Sequence, residues 1–178
     1  MIPQQLTIDT TLAFVALCIA SDVRTRRIPN LLCGLGVVAG VALNGIYFGL
    51  PGVLASGAGL LAAVALLLFP FAMGGIGGGD VKMMGAIGAL LGVHAGFVAL
   101  LVGLVLGGAI MAVHLARRRR LGQTLLTVGT MASASIVGGS LEPLRVSAAQ
   151  PGAIMLPYSV PLGLGTIAAL AMSGRFGL

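Results

Sequence analysis

Long uninterrupted apolar runs, broken by short polar or glycine-rich stretches, dominate this chain. Residues 6–21, 31–50 and 52–73 are almost free of charge, and 81–116 and 154–173 are two further apolar stretches. A membrane-spanning helix needs roughly 20 mostly apolar residues. A lipid-facing β-barrel would instead alternate polar and apolar positions along short strands. The continuous runs therefore predict an all-α membrane protein, a polytopic bundle of about six transmembrane helices in one domain over 1–178. Pro51-Gly52 predicts a tight turn between the second and third spans. The Gly-rich run 74–79 is expected to lie outside helix, because glycine carries the largest backbone entropy cost.

The stretch 81–116 is too long for one comfortable crossing and short for two. Charge decides between them. Arg24, Arg26 and Arg27 follow the first span, and Arg117 to Arg120 follow this stretch. Basic loops face the cytoplasm. The first span then enters from outside, where the N-terminus lies, and the second and third form a hairpin. The stretch 81–116 must cross an even number of times. It is read as helices at about 83–93 and 95–116, turning at 92–96. The first of these is too short for full bilayer thickness and must be tucked into the bundle. Residues 117–152, with Glu142 and Arg145, are expected to form a cytoplasmic or interfacial loop. No basic region precedes the first apolar run, so no cleavable signal peptide is expected.

Composition agrees: 58% of residues are hydrophobic, 8% are charged and 29 are glycines. Small residues let helices approach closely in lipid. The net charge of +6 falls at the ends of apolar runs and suits anionic headgroups. Aromatic residues are too few for a stacking platform, so nucleic acid is not an expected partner; membrane lipids are. Cys18 and Cys33 form no CxxC pair and read as buried packing residues, which leaves no zinc site by spacing.

Only four residues are acidic, and two of them stand out. Asp22 follows the first apolar run, and Asp80 precedes the run that starts at Val81. An ionisable group at a membrane segment is costly and marks a functional site by default. One hairpin separates the two, so they emerge on one side of the membrane. Asp22 ends a helix, where a carboxylate opposes the helix dipole. Asp80 has a ready structural reading as an N-cap. As a pair, two carboxylates can share a proton, activate water and protonate the carbonyl of a scissile amide. This chemistry calls for no metal and no cofactor. A rival reading is a small transporter or channel subunit, with an intramembrane carboxylate beside a broken helix.

Two motifs carry a resemblance. Asp22 opens DVRTRRIPN, which ends in Ile28, Pro29 and Asn30; Gly77-Gly78-Gly79-Asp80 continues into VKMMGAIGALLG. Together, in this order and one hairpin apart, they resemble the type IV prepilin peptidases, membrane aspartyl proteases with a GxGD motif. MLPYSVPLGLG, at the start of the last span, is similar to the short enzymes of Flp/Tad pilus systems. The resemblance implies that Asp22 and Asp80 are the catalytic pair. It implies a prepilin or pseudopilin substrate with a short basic leader, a glycine before the cut and an apolar helix after it. It further implies cleavage at the cytoplasmic face of a prokaryotic inner membrane. Longer relatives also methylate the new N-terminus, and their paired CxxC motifs are missing here, so that activity is not expected. The related presenilin and signal-peptide-peptidase type of protease is the other enzymatic reading. Among supporting residues, Gly77 and Gly79 keep the backbone bare beside Asp80. Pro29 fixes the loop and opens the second span, Asn30 is placed to bond near the pair, and Lys82 either tunes Asp80 or reaches to headgroups. Oligomeric state is not legible.

Overall fold

The computed structural model describes residues 2–72, 75–117 and 158–176. These form four helices: α1 (Ile2–Thr25), α2 (Asn30–Ala72), α3 (Gly78–Arg117) and α4 (Ser159–Phe176). Among the described residues there is no strand. Among the described residues, three helices are long and apolar enough to cross a membrane. The expected loop at 117–152 and the first residues of the last expected span lie outside the described residues, save Arg117, which ends α3.

α2 and α3 run for 43 and 40 residues. At 1.5 Å per residue a straight helix of that length would reach about 60 Å, roughly twice the hydrocarbon thickness of a bilayer. Neither is straight. Gly49 (φ 63°, ψ −145°) breaks α2, and Gly92 (φ 75°, ψ −178°) breaks α3. Both conformations belong almost exclusively to glycine. Across the first break Asn44 donates to Ser56 and Gly52 lies against the Asn44 carbonyl, so residues 30–48 and 50–72 fold back as antiparallel arms. Gly96 packs on Gly88 across the second break, giving arms 78–91 and 93–117.

The α2 reversal comes two residues earlier than the sequence suggests. Proline cannot take a positive φ, so Gly49 makes the turn and Pro51 stands in the first turn of the next arm, where a missing N–H costs nothing. The second reversal falls at Gly92, the start of the expected turn. α1 outruns the apolar stretch at both ends and carries Asp22 inside its last turn. Gly78 and Gly79 do not stay outside helix as expected; they open α3. First-turn N–H groups have no intrahelical partner in any case, and the Gly77 carbonyl takes the N–H groups of Asp80 and Val81 at 3.1 and 3.3 Å.

The first arm of α3 is the centre of the bundle. Residues 83–90 are all buried, and Met83, Met84, Ile87 and Leu90 are almost completely inaccessible. A helix that is apolar all round is a core helix; this arm lies among its neighbours, as its short length requires. Gly59 of α2 and Gly88 of α3 meet backbone to backbone with no room for a side chain. Gly103 and Gly165 do the same between α3 and α4. In lipid such close approach supplies the van der Waals contact that association depends on. By contrast, Leu31, Leu35, Val38, Ile46, Leu54 and Leu61 of α2 point outward, as lipid-facing positions do.

Candidate active site

The arms alternate in direction, which gathers the end of α1 and the starts of α2, α3 and α4 at one end of the bundle. Three contacts fix this. Ser159, the first residue of α4, donates its hydroxyl to Asp22 Oδ2 at 2.5 Å. Lys82 Nζ donates to Asn30 Oδ1 at 2.8 Å, joining α3 to α2. Gly79 packs against Ile28. Both carboxylates therefore lie on one side, as the hairpin count requires. Asp22 is 9% exposed and Asp80 8% exposed.

α1 delivers Asp22 through a tightly bonded terminus. Arg26 adopts a left-handed conformation (φ 52°) and donates its N–H to the Asp22 carbonyl at 2.7 Å. A non-glycine residue there costs roughly 1 kcal/mol. Two hydroxyls offset that cost: Ser21 and Thr25 each donate to the Arg27 carbonyl at 3.0 Å. The side chains of Arg24, Arg26 and Arg27 stay exposed. The chain re-enters helix just after Pro29, whose carbonyl receives the Cys33 N–H at 3.3 Å.

Asp80 is not an N-cap. The cap position belongs to Gly77, whose carbonyl receives the Asp80 and Val81 N–H groups, and Asp80 is the third helical residue. A carboxylate in the first turn suits the positive end of the helix. A side chain on Gly77 would stand 3.2 Å from Asp80 Oδ2, so glycine leaves that oxygen uncovered. Gly79 is less bare than the sequence suggests, since Ile28 covers it. Lys82 is exposed and pairs with Asn30, and the two form a polar brace near Asp80.

One participant escaped the sequence reading. Ser159 is wholly buried against Asp22. The available signal was a lone hydroxyl at the start of an apolar run, within MLPYSVPLGLG. Cys18, one turn before Asp22, and Cys33 are buried free thiols. Among the described residues no three His, Cys, Asp or Glu side chains form a metal-holding group. An apolar groove of about 480 Å³ runs along α1, lined by Leu12, Val15, Ile19, Val23 and Ile167, and ends at Arg24.

This is a helical membrane protein with two buried carboxylates gathered at one end of its bundle. The model of the type IV leader peptidase family matches residues 10–112, and the chain belongs to that family. The matched stretch takes in Asp22 and Asp80 and stops short of Ser159. Membership makes the protein a peptidase with a membrane-embedded, prepilin-type substrate. No curated protein and no solved structure matches the chain.

Proposed function

We propose that the protein is an aspartyl endopeptidase that removes the short basic leader from type IV prepilins or pseudopilins of the Flp/Tad kind. The carrying observation is that Asp22 and Asp80, remote in sequence, are both buried at the one end of the bundle where the end of α1 and the starts of α2, α3 and α4 meet.

With one proton shared between them, the ionised carboxylate takes a proton from water as the water oxygen attacks the scissile carbonyl. The protonated partner gives its proton to the carbonyl oxygen, and a neutral tetrahedral diol forms. The first carboxyl, now protonated, passes its proton to the leaving amine. The second takes one back from a diol hydroxyl as the C–N bond breaks. The pair then holds one proton again, and one water has been consumed. Burial favours this chemistry because two like charges held close in a weakly polar setting do not both ionise.

The active end faces the cytoplasm in this reading, with the N-terminus outside, since Arg24, Arg26 and Arg27 cluster on the loop beside Asp22 and basic loops stay inside. That side of an inner membrane is where a basic leader waits. The apolar groove along α1, which ends at Arg24, suits the apolar helix behind the leader.

The test is processing of a co-expressed prepilin followed by gel shift. Asp22→Asn and Asp80→Asn are each expected to lower cleavage by on the order of 10²–10⁴-fold. Full processing by either variant would refute the pair.

A further inference from the structure

We infer that Ser159 is a positioning residue that fixes which oxygen of Asp22 does the chemistry, an inference that rests on the aspartyl reading above. Ser159 lies beyond the family-matched residues, at the start of the last described helix. It is fully buried, and its hydroxyl donates to Asp22 Oδ2 at 2.5 Å. That length falls within the range of a hydroxyl bonded to a carboxylate.

A serine at a helix start commonly caps its own helix, with its oxygen accepting a backbone N–H. Here that task falls elsewhere: the Tyr158 carbonyl receives the Leu162 N–H at 3.1 Å, which makes Tyr158 the cap and Ser159 the first helical residue. The Ser159 hydroxyl instead points across to α1. It does so at the positive end of α4, which favours a carboxylate. Asp22 gains nothing comparable from its own helix, whose carbonyl end it occupies.

The seam between the two helices holds this register. Gly163, one turn beyond Ser159, lies against Val15 and Ile19, and a Cβ on it would fall 2.6 Å from Ile19 Cδ1. Ile19 is three residues before Asp22, on the same face of α1. The helices are thus pressed together one turn away from the carboxylate, and α4 cannot rotate without losing both contacts.

The consequence is orientation. An aspartate carboxyl turns in a broad, nearly two-fold well. A donor on Oδ2 removes that freedom and leaves Oδ1 to exchange protons with water. Ser159 touches neither water nor substrate in this scheme, so its loss acts on turnover and not on binding.

The experiment uses full-length protein in detergent or nanodiscs and a synthetic prepilin-type peptide with a basic leader, a glycine at the cut and an apolar helix. Ser159→Ala is expected to lower kcat roughly 10- to 100-fold with KM changed by less than about twofold. Ser159→Thr, which keeps the hydroxyl, is expected to recover to within about threefold of the parent kcat. If Ser159→Ala does not fold, Ser159→Cys, nearly isosteric but a weak donor, is expected to show the same loss of kcat. A parent-like kcat in the Ala or Cys variant overturns the inference, and so does a Thr variant no faster than Ala. Asp22→Asn in the same assay separates the two readings: if it still cleaves, the aspartyl pair itself fails; if it is dead while Ser159→Ala is unimpaired, only the role of Ser159 fails.

Discussion

The two ends of this bundle bury polar groups in opposite ways. At the end with the helix breaks, Asn44 donates from Nδ2 to Ser56 at 2.8 Å and to the Ala89 and Leu90 carbonyls at 3.1 and 3.2 Å. Ser56 is fully buried and donates onward to the Gly40 carbonyl at 3.3 Å. Ala89 and Leu90 lie just before the break at Gly92, where helix carbonyls lose their regular donors. The Asn44 amide supplies them, and the cluster is neutral and mutually satisfied. At the other end the buried groups are carboxylates, Asp22 in the last turn of α1 and Asp80 in the first turn of α3, beside a basic loop. Lipid penalises unpaired polarity at either end. A neutral network answers that penalty with stability, whereas in the function proposed above the carboxylates answer it by holding and moving a proton.

This contrast can be broken by exchange of function and stability. The largest effect is expected at the carboxylate end: Asp80→Asn should abolish cleavage while leaving the unfolding midpoint within a few degrees of the parent, read by activity and thermal unfolding side by side. A large loss of stability would make Asp80 a structural residue like Asn44. Next in size, Asn44→Leu should cost about 2 kcal/mol of stability, because it strands the Ala89 and Leu90 carbonyls. Its kcat per folded molecule should match the parent, as a denaturant titration paired with active-fraction kinetics would reveal. Gly92→Ala should cost about 1–2 kcal/mol, since only glycine takes that backbone conformation freely. Such a loss places the reversal at Gly92, and no loss would move it elsewhere in 92–96. The smallest change is expected for Lys82→Met. Lys82 is exposed and its bond to Asn30 is solvent-accessible, so stability should shift by less than about 1 kcal/mol. Cleavage should fall no more than a few-fold; a loss as large as that of Asp80→Asn would put Lys82 in the chemistry.

Where sequence reading succeeded, a strong local signal was present. Apolar runs marked α1, both arms of α2 and both arms of α3. The charge pattern required an even number of passes in 81–116, and the break at Gly92 matches that requirement. Where it slipped, two local rules competed. Pro51-Gly52 looked like the turn because both residues favour turns, yet the positive φ could only fall on a glycine, and Gly49 was there to take it. Asp80 after glycines looked like a cap, and a helix starting two residues earlier moved it to the third position.

The chain alone settles that this is a membrane helix bundle and that two aspartates belong at one side of it, because hydropathy, parity and charge are one-dimensional properties that lipid reads directly. It cannot say which neutral groups meet. Asn44 and Ser56 are unremarkable polar letters in apolar runs, and Ser159 is one serine among several. Their partners lie 45 residues or more away in three of these contacts, Asn44 with Ala89 and with Leu90, and Ser159 with Asp22. Such bonds depend on the rotation and register of packed helices, which glycine contacts between helices fix and no local pattern encodes.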